Sequence, residues 1–143
     1  MHREGFTVAE LAVTIAIVAV VLGLGLPRLG RSLDWVAADA AARDVSTALA
    51  VARATAAMQG VRTRVVIGVD SLRLDRWEPP QWVPGRRWPG PASRGVTLEV
   101  SNPEVVFGPL GLAWGVSNTR VTLRRGTTIE VLTVSSVGRV KRW

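Results

Sequence analysis

The chain has no cysteine, no tyrosine, a single histidine (His2), a single lysine (Lys141) and two phenylalanines among its 143 residues. Each absence removes a class of chemistry. Without cysteine no disulfide can staple the fold, and no thiolate nucleophile or zinc–thiolate centre can form. With His2 at the extreme N-terminus and no tyrosine, the common nucleophile–base pairs lack a base. The composition therefore points away from an enzyme, and neither a cofactor nor a metal is expected. Asp70 and Asp75 flank a turn and read as turn and surface residues rather than a metal pair. Acidic residues are also in deficit, 11 against 18 basic ones, for a formal net charge of +7. At this length the chain holds one modest globular domain and one further segment.

Charge is nearly absent from one stretch. Residues 6–26 carry a single charged side chain, Glu10. As a helix these residues span ~32 Å, enough for a hydrocarbon core of ~30 Å. A carboxylate in such a segment costs up to ~3 kcal/mol at the bilayer centre, less near an end, and usually marks function. Only Met1-His2-Arg3-Glu4-Gly5 precedes the run. A cleaved secretory signal has a shorter apolar region with its small cleavage residue behind it. Here the run is too long and the small residue, Gly5, stands in front.

The order Gly5-Phe6-Thr7-Val8-Ala9-Glu10-Leu11 and the apolar tail resemble the class III signal of type IV prepilins and type II secretion pseudopilins. The resemblance implies that a prepilin peptidase cuts between Gly5 and Phe6, methylates Phe6 and leaves the helix attached. It further implies that Glu10 is an assembly contact, pairing with the free amine of Phe6 on a neighbour. The implied partners are other pilins or pseudopilins, the peptidase, and inner-membrane lipid before assembly. The implied location is a single pass of the cytoplasmic membrane with an exported head. Arg28 and Arg31 behind the run, against Arg3 before it, do not by themselves set that orientation. On residues alone, an ordinary signal anchor with Glu10 among the headgroups is the alternative. The organisation expected is a leader over 1–5, a transmembrane and assembly helix over 6–27, and an exported head over 28–143.

Within the head, Leu29, Leu33, Val36, Ala40, Val45, Ala48, Leu49, Ala52 and Ala56 recur at helical spacing, and Gly60 supplies a stop. One helix is expected from about Phe6 to Gln59, with a kink or melted turn where Gly23, Gly25 and Pro27 weaken it. The many alanines make its buried face thin. From Gly60 the period changes to two, with strands expected over 61–69, 72–77, 96–100, 105–107, 120–123 and 127–134. Residues 78–92 hold five prolines and read as an exposed loop. There Trp82 and Trp88, beside Arg86 and Arg87, could stack bases, dock on a neighbour, or pin the loop to its own sheet. The fold class expected is α+β and pilin-like, a long N-terminal helix packed against an antiparallel β-sheet head.

Two later segments narrow the resemblance. Val105-Val106-Phe107-Gly108-Pro109-Leu110-Gly111-Leu112-Ala113 is similar to the Phe…Gly segment of H-type minor pseudopilins and the related FimT/FimU minor pilins. Thr133-Val134-Ser135-Ser136-Val137-Gly138-Arg139-Val140 resembles their closing strand. The resemblance implies a structural minor pilin or pseudopilin, assembled through its N-terminal helix into a type IV pilus or type II secretion pseudopilus. The alternative it implies is a DNA-binding minor pilin for natural transformation. Some FimT members bind DNA through Gly-Arg-x-Arg, and here Gly138-Arg139-Val140-Lys141-Arg142 places Lys141 at the last motif position. Arg139, Lys141 and Arg142, on a mobile tail beside Trp143, could grip a phosphate backbone. Gly-Arg at this place also closes the last strand in secretion pseudopilins. The basic balance fits DNA or a lipid surface, and fits a solvated arginine-rich surface as well.

Overall fold

The computed structural model describes residues 7–115 and 118–143, the side chains of 24–29 excepted. His2, Gly5 and Phe6, and with them the expected cleavage and methylation site, lie outside the described residues. The chain divides into two compact units, Met1–Leu33 and Asp34–Trp143. One helix, α1 (Val8–Gln59), contributes to both.

In the first unit, α1 carries no charge between residues 11 and 23, and apolar side chains stand all round it there. Leu11, Val13, Ile15, Ile17, Val20 and Val21 are all exposed. Among the described residues no helix is long and apolar enough to cross a membrane. The span expected over 6–26 is thus not found there; Phe6 and the side chains of 24–26 fall outside the described set. The backbone stays helical through Pro27, so no turn melts at the glycines. A proline removes one donor from the ladder but leaves the bonds on either side in place.

The second unit is built on a stripe of small residues. Ala38, Ala41, Ala42, Val45, Ala48, Leu49, Ala52 and Ala56 are buried along one face of α1, at the three- and four-residue spacing that puts them in line. Gly60, at φ +65°, ends the helix. Eight strands follow: β1 (Thr63–Ile67), β2 (Ser71–Glu78), β3 (Gln81–Pro89), β4 (Thr97–Val100), β5 (Glu104–Phe107), β6 (Thr119–Arg125), β7 (Thr128–Val134) and β8 (Val140–Arg142). They form two antiparallel sheets of four, ordered β3-β2-β1-β5 and β4-β6-β7-β8. Strand alternation sends Val65, Ile67, Leu72, Leu74, Val105 and Phe107 from the first sheet into the same core as Val121, Leu123, Leu132 and Val134 from the second. The alanine stripe completes that core, and its thinness lets the Thr63 hydroxyl donate to the Ala52 carbonyl at 2.9 Å. Burying a Phe or Leu side chain in such a core contributes about 2–3 kcal/mol.

Two expectations are corrected. The proline-rich stretch is not a loop: β3 pairs with β2 in register, Ser71 opposite Pro89 and Asp75 opposite Pro84. Proline is admitted because β3 is an edge strand, whose alternate N–H groups need no partner. The C-terminus is not a mobile tail either, since Val140–Arg142 is strand β8, paired to β7.

Candidate assembly and binding sites

Glu10 sits at the start of α1 and is locally satisfied. Thr7 donates its backbone N–H and its hydroxyl to Glu10 Oε2, both at 2.9 Å, and the Glu10 N–H returns to Thr7 Oγ1 at 3.2 Å. This is a reciprocal capping box, Thr at the cap and Glu three residues on. The Thr-x-x-Glu spacing before an apolar run is its sequence signature. Thr14 Oγ1 donates to the Glu10 carbonyl at 2.7 Å, one turn further along. The carboxylate is exposed and has no cationic partner among the described residues.

In the second unit the two late segments singled out in the sequence meet. Gly138, at φ +73°, closes a turn from Ser135, and a Cβ there would lie 3.1 Å from the Gly111 carbonyl oxygen and 3.2 Å from Phe107 Cε1. Only glycine fits both the conformation and the space. Arg53 of α1 donates to the Gly138 carbonyl at 3.3 Å. The helix, the Phe107–Gly111 turn and the start of β8 therefore converge.

The three C-terminal cations have different fates. Arg142 is turned inward: its Nε donates to Glu130 Oε2 at 2.9 Å and its Nη2 to Asp39 Oδ1, while Arg43 holds the other Asp39 oxygen at 2.5 Å. The bond from Arg142 is the main reason the Asp39 carboxyl is held below the ordinary value, against a burial effect that would raise it. Glu130 and Asp39 in turn push the Arg142 guanidinium above its ordinary value. Arg139 and Lys141 remain exposed, Lys141 with its Nζ 3.3 Å from the centre of the Trp143 ring. Register sets Lys141 and Arg120 on either side of Thr133 on the outer face of the second sheet, with Arg124 further along β6.

Asp75 departs furthest from its reading as a surface residue. It is fully buried on the outer face of the first sheet, beneath Arg64 (Nη2–Oδ2 2.7 Å) and Arg73 (Nε–Oδ1 2.7 Å). Burial alone would raise its pKa, but the two guanidinium groups override that and hold it below the usual carboxylate range. Arg64 also lies over Trp82 at 4.7 Å, and Trp82 meets Trp77 edge-on at 5.2 Å. Arg86 stacks on Trp88, which packs against the core. Both tryptophans of the proline-rich stretch are thus held by their own sheet. Two more helix acids are engaged across the unit, Asp34 by Arg125 at 3.0 Å and Asp44 by Arg94 at 2.7 Å. Among the described residues no cluster of three or more His, Cys, Asp or Glu is placed to hold a metal.

A family model described as type II transport protein GspH matches residues 41–138. The type IV minor pilin FimU of Pseudomonas aeruginosa strain PAO1 has a similar fold in two crystal forms. In space group P21 the TM-score is 0.62 at 17% identity, over 72% of this chain and 85% of that one. In P65 it is 0.61 at 16% identity, over 73% and 91%. No curated protein sequence matches the chain.

Proposed function

Because the chain belongs to the GspH family of type II transport proteins, we propose that it is a structural minor pilin or pseudopilin, assembled through the N-terminal part of α1. The observation that carries this reading is the first unit: an all-round apolar, exposed helix with one carboxylate at its start. Thr7 satisfies the Glu10 carboxylate with hydrogen bonds but leaves its negative charge unneutralised. A charge held in an apolar segment calls for an opposite one. A cation from outside the chain supplies it, and cleavage between Gly5 and Phe6 would create one, the Phe6 amine of a neighbouring subunit. In this reading the prepilin peptidase makes the partner, inner-membrane lipid holds the helix beforehand, and the second unit is the exported head. The chain acts by packing and pairing, without catalysis.

The test is Glu10→Leu in the full chain. The variant is expected to insert in the membrane and keep a normally melting head, yet to be lost from complexes with other pilins. Co-purification at wild-type level would remove Glu10 from the assembly step.

A second reading, DNA contact, is supported by the exposed cations Arg139, Lys141, Arg120 and Arg124, with the Trp143 ring beside Lys141. Arg142 belongs to the fold rather than to this surface. If DNA is bound, Lys141→Ala with Arg139→Ala weakens a salt-sensitive gel shift of the full chain in detergent. An unchanged shift, or none, ends that reading.

A further inference from the structure

The two sheets have four edges, and two are blunted. On β3, Pro84 and Pro89 and the register shift opposite residues 73–75 prevent further pairing. Beyond β5, residues 108–114 fold back so that Ala113 bridges Phe107 and the Trp114 N–H reaches the Val106 carbonyl at 2.8 Å. The edge at β4 carries a carboxylate, Glu99, whereas the charged side chains of β8 are engaged elsewhere, Lys141 on the Trp143 ring and Arg142 on Asp39 and Glu130.

The open side of β8 can be read from its ladder. Trp143 donates its N–H to the Val131 carbonyl at 2.9 Å, and Ser135 donates to the Arg139 carbonyl at 3.0 Å. Alternate residues of an antiparallel strand face the same neighbour, so Lys141 also faces β7. Val140 and Arg142 then turn their N–H and C=O groups outward, where they meet no partner among the described residues. Outward here is a groove of about 670 Å³, bounded by β8, by Leu110 and Gly111, and by the Ala50–Ala54–Ala57 side of α1. Its walls are small or apolar, and Leu110 is 83% exposed. Its charged lining is wholly cationic: Arg53, Arg139 and Arg142. Arg142 is already paired with Asp39 and Glu130, but Arg53 and Arg139 have no carboxylate partner among the described residues.

We propose that this groove receives an extended, acidic segment of a different subunit, added to the second sheet as a fifth strand beside β8. Its backbone pairs with Val140 and Arg142, its apolar side chains lie on Ala50, Ala54 and Leu110, and its carboxylates meet Arg53 and Arg139. Main-chain pairing supplies affinity in such strand addition, and the flanking pocket and charges supply selectivity. The inference rests on the reading of the chain as one subunit of an assembly.

The absence of cysteine makes the test direct. Ala57→Cys in the full chain carries a maleimide–benzophenone photoprobe into the groove, and Arg87→Cys, on β3 outside it, is the control. On irradiating the native assembly, the Ala57 probe is expected to join a different subunit within an acid-containing peptide, while the Arg87 probe gives no such product. Val140→Pro removes one outward N–H, leaves the bonds to β7 and keeps an apolar side chain where Val140 packs on the core, so it should abolish the product with at most a small fall in the head's melting point. If Val140→Pro lowers the melting point by more, Arg139→Glu, at an exposed position, should abolish the product on its own. Products only with lipid or with a second copy of this chain, or a product that survives both variants, overturn the proposal. That failure leaves the assembly reading standing as long as Glu10→Leu still blocks incorporation.

Discussion

Residues 8–23 and 34–59 belong to one helix but deal with apolar surface in opposite ways. The later stretch presents a thin alanine stripe that ten buried sheet positions cover, and its acids Asp34, Asp39 and Asp44 each meet an arginine of the head. The earlier stretch is wider in apolar area, exposed throughout, and its one acid meets only the neighbouring Thr7. The same secondary structure is covered within the chain in one case and left uncovered among the described residues in the other. The lesson is that stability and assembly are separable here: changes in residues 34–59 should act on folding, and changes in residues 8–23 on incorporation.

The largest expected effect tests that separation. Phe107→Ala, which opens the core against the alanine stripe, should cost the head about 4 kcal/mol. Ile15→Ala should leave the head's urea midpoint unmoved, as followed by tryptophan fluorescence of the full chain in detergent. Comparable losses from the two would break the comparison. Next, Arg142→Met takes the cation from Glu130 and one of two from Asp39, which keeps Arg43, and at this partly exposed site should cost about 1–2 kcal/mol, while Arg139→Met stays within about 0.5 kcal/mol of wild type. Equal, small effects would mean that Arg142 is as free as Arg139.

A smaller effect appears in the pH dependence. Asp75 and Asp39 both have folded-state pKa values depressed below the ordinary carboxylate value. A depressed carboxyl contributes stability in full above its unfolded pKa of about 3.9 and loses it as pH falls through the folded value. The urea midpoint should therefore hold steady from neutrality to about pH 5 and drop below about pH 4. Asp75→Asn should be weaker at neutral pH with a shallower acid slope. An acid slope unchanged in Asp75→Asn would show that other groups carry it.

Much of this was legible because it depends on local pattern. The three- and four-residue spacing of the alanines, the stop at Gly60 and the alternation in β1, β2, β6 and β7 are set by neighbours in sequence. Gly138 and the Phe107 segment each stand out in the sequence on their own, but only the fold brings them together, a Cβ at Gly138 lying 3.2 Å from Phe107 Cε1. What was not legible depends on partners far along the chain. Proline density argues against a strand unless one knows that β3 is an edge. Asp75 reads as a surface acid unless Arg64 is known to lie opposite it in register. Arg142 reads as a free cation until Asp39, more than one hundred residues earlier, is brought beside it. The capping box at Thr7 and Glu10 is the exception: it is local and written in the Thr-x-x-Glu spacing, beside which the lone charge of Glu10 is the louder signal.

The central claim is that Glu10 changes partner, from Thr7 within the chain to an amine on a neighbour. An apolar carbodiimide, applied to the assembled filament in its membrane-derived form, reports this contact directly by fixing a carboxylate to an amine in van der Waals reach. The account predicts an intermolecular amide between the Glu10 side chain and an N-terminal amine of an adjacent subunit, recovered by mass spectrometry from assemblies and missing from the unassembled chain in membranes. Assemblies that contain the chain but yield no such amide would contradict it.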